Sequence, residues 1–247
     1  MEYKIRELVK GSIADYAKRG PINIVISGDS ISHGGLNGQI DYDTVYHNRL
    51  RLMINKRWQN VPVNIINTAV GGRCADHALR NFERDVAPHN PDLVIICFGL
   101  NDVNAPTEVW RANLGGLFDK CREHGFECVF MTPNMLNTYV AEGTPKQYWD
   151  YAHTTADKQN DGTMDRCMEE ARKVAAEKGV EVCDCYAAWK KLQAEGVDTT
   201  LLLANLINHP TREMHKLFAD MLFETIFGQP YVAKSTLADN DMYQKSN

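Results

Sequence analysis

Apolar positions change their spacing several times along the chain, and each change marks a predicted element. Tyr3, Ile5, Leu8, Val9, Ile13 and Tyr16 recur at helical intervals over residues 2–19, so residues 1–20 read as an N-terminal helix. Gly20-Pro21 closes it, and Ile22 to Ser27 is a short β-branched run that reads as a strand. The alternation then continues. Strands are expected at 61–68, 93–98, 127–131 and 180–185, and helices at 44–58, 75–86, 107–124, 163–178, 186–195 and 211–226. Leu93 to Phe98 is a continuous apolar run, which suits a strand covered on both faces. Strands alternating with helices predict βαβ units, a parallel sheet and an α/β fold. Five strands make one doubly wound domain over residues 1–247, whose ligands gather beyond the carboxyl ends of the strands.

Two stretches fall outside the alternation. Residues 134–162 read as an inserted loop carrying Tyr139, Tyr148, Trp149, Tyr151 and His153. A loop of this length is uncommon and often functional, and its aromatic side chains suit a sugar ring. Residues 229–247 form a polar, aperiodic tail.

Composition narrows the class without naming a function. With 44% hydrophobic and 24% charged residues, the chain reads as an ordinary soluble protein. Its net charge of −5 argues against a phosphate-backbone binder, so no nucleic-acid partner is expected. Seven dilute cysteines, an N-terminus without a signal-peptide core and no apolar run near the ~18 residues of a membrane span point to a cytoplasmic protein without a membrane partner. Cys183 and Cys185 form a CxC on the last expected strand, where strand packing accounts for them better than metal or redox work. No P-loop, strand-linked GxGxxG or HExxH is present, so neither a cofactor nor a metal is expected. Nothing in the pattern fixes the oligomeric state.

The informative residues follow the strands. Ser27-Gly28-Asp29-Ser30 follows the first, Ala69-Val70-Gly71-Gly72 the second, and Gly99-Leu100-Asn101-Asp102 the third; Asn208-His209-Pro210 precedes the last helix. All four collect on one sheet edge. Acyl transfer needs a nucleophile, a base and donors aimed at the developing oxyanion. Ser30 can attack and His209 can take its proton, while the N–H groups of Ser30 and Gly72 and the Asn101 amide can hold the oxyanion.

These blocks resemble those of the SGNH hydrolases, also called GDSL esterases and lipases. Gly28-Asp29-Ser30, Ala69 to Gly72, Gly99 to Asp102 and His209-Pro210 occur in that family's order, with 42, 29 and 108 residues between Ser30, Gly72, Asn101 and His209. The resemblance covers residues 22 to 226. It implies a flavodoxin-like three-layer α/β/α fold, a Ser nucleophile, a His base, and Gly72 and Asn101 in an oxyanion hole. The chain departs from the family's usual DxxH, because Leu206 stands three residues before His209. A Ser-His dyad is expected, with Asn205 or Asn208 orienting the imidazole; Asp184 and Asp198 are remote carboxylate candidates.

Asp29, Arg73, Tyr148 and Trp149 are further candidates for substrate contact, although turn bonding for Asp29 and a surface ion pair for Arg73 are the plainer readings. Asp102 reads as a brace between loops, and His215 as an ordinary surface helix residue. The resulting expectation is a serine esterase acting on a small-molecule ester, best taken as an acetyl group on a carbohydrate. A thioesterase or lysophospholipase-like lipase, or a non-catalytic binding protein on the same fold, are the alternatives.

Overall fold

The computed structural model describes residues 3–36 and 39–232. Its main sheet is built from five parallel strands: β1 (Ile22–Gly28), β2 (Val63–Asn67), β3 (Leu93–Cys97), β4 (Cys128–Met131) and β5 (Glu181–Cys183). Their spatial order is 2-1-3-4-5. That order is the flavodoxin-like doubly wound arrangement, in which the winding reverses between β1 and β3. Every residue of β3 is buried, as its unbroken apolar run requires of a central strand with helices on both faces. Helix Tyr46–Arg57 packs with Arg212–Phe227 on one face, and Ala75–Arg80, Thr107–Glu123 and Thr163–Lys178 pack together on the other. In Thr107–Glu123 the buried positions Trp110, Leu114, Leu117, Phe118 and Cys121 form a single helical stripe. Most of the buried apolar residues make one contiguous core.

Several elements differ from the sequence pattern. The N-terminal stretch holds two helices, Ile5–Leu8 and Ile13–Arg19. Ser12 starts the second with a reciprocal capping box to Asp15, which outweighs the continuous apolar spacing. The expected 75–86 helix is divided at Asn81. The last strand ends at Cys183; Asp184 caps the helix Cys185–Ala194 by accepting the Ala187 N–H, so Cys185 lies on that helix. The two sulfurs sit 3.8 Å apart, both buried.

The 134–162 segment is not a structureless loop, because it contains the helix Trp149–Asn160. The buried face of that helix is Ala152, Thr155, Ala156 and Gln159, so its periodicity is invisible to hydropathy. Gln159 accepts the Leu136 N–H and donates to the Tyr186 hydroxyl, and Thr155 donates to Asn137. Buried polar groups here are held by such pairings. Of the expected tail, residues 233–247 lie outside the described residues. His215 is buried rather than on the surface: its Nδ1 accepts the Tyr46 N–H, and burial holds the imidazole well below the ordinary His range.

Gly28 closes β1 where its register with Cys97 leaves no room for a side chain. A Cβ there would lie 2.4 Å from Ser32 Oγ and 3.0 Å from the Cys97 carbonyl oxygen. Gly28→Ala should therefore destabilise the fold by about 1–3 kcal/mol through overpacking, measured by urea unfolding. A loss under a few tenths of a kcal/mol would show that the strand end is not this tight.

Candidate active site

The carboxyl edge at the β1/β3 reversal gathers the predicted blocks. Asp29 is the N-cap of the short helix Ser30–His33, and its Oδ1 accepts the Ile31 N–H at 2.9 Å. That cap turns the chain sharply at Ser30. Across the edge, Ser30 Oγ lies 2.8 Å from His209 Nε2, so the hydroxyl can donate to the imidazole. The two residues are 179 positions apart in sequence.

The other side of the site is a set of unspent donors. Among the described residues neither the Ser30 nor the Gly72 N–H has an acceptor. Gly72 has φ +79°, a left-handed conformation that favours glycine, and a Cβ there would meet no protein atom. The neighbouring Gly71 N–H is fixed by His33 Nδ1 at 3.2 Å. Asn101 donates one amide hydrogen to the Arg73 carbonyl at 3.0 Å, which fixes its orientation and leaves the other hydrogen free. Asp102 braces the edge beneath, accepting from Ala75 and Gly99.

His209 is presented by a turn organised around one side chain. Asn205 Oδ1 accepts the backbone N–H groups of Ile207, Asn208 and His209 at 3.1, 2.9 and 2.9 Å. The Ala204 N–H bonds the His209 carbonyl, and Asn134 donates to the Asn208 carbonyl. Leu206 adopts φ +59°, one of two non-glycine residues at positive φ among those described. Asn205 and Asn208 thus hold the turn and do not reach the ring, contrary to the orienting role expected of them. Asp184 is paired with Arg172, and Asp198 caps Thr200 and accepts from Tyr139, so neither remote carboxylate reaches it either. Among the described residues nothing accepts from His209 Nδ1. Burial pushes the imidazole below the ordinary His range, and the Arg212 cation adds to that push.

A cavity of about 860 Å³ opens over these groups. Ser30, Gly71, Gly72, Asn101 and His209 line its reactive side; Gly143, Pro145, Tyr148, Tyr151 and residues 204–208 line the rest. Among the described residues no Asp, Glu, Lys or Arg borders it. Tyr148 stands where the sequence suggested, at the cavity wall. Asp29, Arg73 and Trp149 do not. Asp29 is fully buried next to Ser30; Arg73 pairs with Asp85 at 3.0 Å; Trp149 pins its own segment by donating to the Thr144 carbonyl. Tyr151, one of the aromatic residues noted in the 134–162 segment, also borders the cavity, where the fold bonds its hydroxyl to Asn208 beside His209. No group of His, Cys, Asp and Glu among the described residues could hold a metal, and no helix among them is long and apolar enough to cross a membrane.

Comparison with known proteins gives the same outline. Residues 26–217 match the GDSL-like Lipase/Acylhydrolase family. Among curated proteins, the uncharacterized lipoprotein YqeF of Bacillus subtilis is 29% identical over 122 residues, covering 46% of this chain and 49% of that protein. The match thus spans about half the length of that relative. Among solved structures, Axe2, an acetylxylan esterase from Geobacillus stearothermophilus, superposes with a TM-score of 0.67 at 19% identity, covering 87% of this chain and 97% of that one. The acetyl xylan esterase AlAXEase superposes at 0.65 and 18% identity, covering 83% and 100%. At such identities the likeness is one of fold.

Two expectations follow from the buried groups. Only a neutral imidazole can accept the Ser30 proton, so for a reaction that runs through this pair the acid limb of kcat/KM should lie below pH 6.5. A pH–rate profile with its acid midpoint above that value would contradict the burial argument. Burial also pushes the Asp29 carboxyl up to about 7, with Asp102 adding to it. The native state then keeps a proton that the unfolded chain releases near pH 4, so stability falls as pH rises from about 4 to about 7. Asp29→Asn keeps the Ile31 acceptor and should flatten that fall, read as the difference in urea midpoint between pH 5 and pH 8. An unaltered difference would mean that Asp29 does not titrate there.

Proposed function

Because the chain belongs to the GDSL-like lipase/acylhydrolase family, we propose that it is a serine esterase removing small acyl groups, acetyl in our reading, from a neutral carbohydrate. The observation that carries this is the 2.8 Å approach of Ser30 Oγ to His209 Nε2 beside three free donors. In the proposed reaction His209 takes the Ser30 proton as Oγ attacks the ester carbonyl. The oxyanion is met by the Ser30 and Gly72 N–H groups and the remaining Asn101 amide hydrogen. The imidazolium then gives its proton to the leaving alcohol. Water, deprotonated by the same imidazole, resolves the acyl-enzyme.

A third triad member holds the imidazole tautomer and stabilises the imidazolium. Structures similar to this chain include Axe2 catalytic mutants at a serine, a histidine and an aspartate. Leu206 occupies the aspartate's usual place here, so we read the base as a dyad member whose Nδ1–H meets solvent. The carbohydrate half of the proposal draws on the uncharged cavity with its two tyrosines, and on neighbours named for acetylxylan. The seven free cysteines favour a reducing, cytoplasmic setting.

A series of chromogenic esters tests the proposal. Acetyl should be the best substrate, Ser30→Ala should cost at least about 10³-fold in kcat, and Asn101→Ala about 10²–10³-fold with the fold retained. Activity surviving in Ser30→Ala would remove the nucleophile. Preference for long acyl chains would favour a thioesterase or lipase, and no turnover of any ester by the native protein would favour a binding protein.

A further inference from the structure

The turn before His209 fixes the direction of a hydrogen-bond chain that ends in the cavity. Three backbone N–H groups converge on one side-chain atom of Asn205, and that atom must be its oxygen. Its nitrogen therefore faces Asn208 and donates to Asn208 Oδ1 at 2.8 Å. Because the Asn208 oxygen accepts, its nitrogen is the end that faces Tyr151, 3.1 Å from the phenol oxygen. The phenol oxygen thus accepts from Asn208, and its own proton has to point elsewhere. The Tyr151 hydroxyl has no second partner among the described residues, and Tyr151 lines the cavity with Ser30 and His209.

We propose that Tyr151 is a specificity-determining donor that gives its phenolic proton to a second oxygen on the alcohol half of the ester. The choice of half rests on the esterase reading above. His209 must return its proton to the leaving oxygen, so the alcohol sits on the side of the cavity bordered by residues 204–208 and by Tyr151, which is bonded to Asn208. A simple hydrocarbon alcohol offers this donor no acceptor; a polyol or sugar does. With no ionised Asp, Glu, Lys or Arg among the lining residues, the matching alcohol is neutral rather than phosphorylated or a uronate. The Asn205–Asn208 relay sets the polarity, so the site arrives with its donor already aimed. Such pre-orientation lowers the ordering cost of binding.

The test compares two acetates on the Ser30→Ala protein, which holds them without turnover: cyclohexyl acetate and a mono-acetylated methyl pentoside. Adding Tyr151→Phe should raise the Kd of the sugar acetate about three- to tenfold more than that of cyclohexyl acetate, the weight of one neutral hydrogen bond. Adding Asn208→Asp instead keeps the phenol but supplies a carboxylate that takes its proton, and should reduce the same discrimination. A merely structural tyrosine would weaken both ligands alike in Tyr151→Phe and would leave the ratio intact in Asn208→Asp. An unchanged ratio in both proteins, or no discrimination between the two acetates before either change, overturns the assignment. Since these titrations need no turnover, an inactive native enzyme would sink the esterase reading and leave the Tyr151 result standing on its own.

Discussion

A hydroxyl and an imidazole separated by most of the chain are held 2.8 Å apart, and much of the architecture serves that contact. Neither partner sits within regular structure that could position it alone. Ser30 is placed by the end of β1, where Gly28 lies against Cys97 with no space for a side chain and Asp29 caps a single helical turn. His209 is placed by Asn205, which accepts its N–H, and by Asn134, which donates to the preceding Asn208 carbonyl from the segment after β4. The parallel sheet is the rigid reference between them. Its central strand is buried on both faces, so a shift at either end has to move packed core.

The electrostatics of the edge run against the usual arrangement. Where a carboxylate would stabilise an imidazolium, the charge that acts on the ring is the partly buried Arg212 cation, itself paired with Asp41. Arg212 also donates to the Gly34 carbonyl, tying the helix that follows His209 to the chain that follows Ser30. The charged form of the His209 ring is therefore disfavoured, and the ring is firmly placed. For the acyl transfer proposed above, this places more of the transition-state stabilisation on the donors at Ser30, Gly72 and Asn101.

The sequence disclosed what is written in contiguous residues. Four short blocks placed Ser30, Gly72, Asn101 and His209 on one edge, and the alternating periodicity produced all five strands. It failed where the physics is tertiary. The helix Trp149–Asn160 buries alanine, threonine and glutamine, so no apolar stripe announces it. Ser12 interrupts an apolar pattern that would otherwise continue, because a satisfied cap decides the helix start. Trp149 and Arg73 carry side chains suited to ligands but spend them on Thr144 and Asp85. The Tyr151 hydroxyl is bonded to a partner 57 residues away, a separation no local reading spans.

Leu206 bears on how such a site could be changed. A leucine at φ +59° costs on the order of 1–2 kcal/mol against ordinary backbone, and it persists because Asn205 and the Leu203 carbonyl fix the residues around it. From that backbone its side chain reaches the cavity beside Gly143. An aspartate placed at 206 would tolerate the conformation better than leucine does, yet would inherit the same aim. It would place an anion among neutral walls instead of behind the imidazole. On this backbone, changing Leu206 alone would therefore not set a carboxylate behind the imidazole; the turn around it would have to change as well.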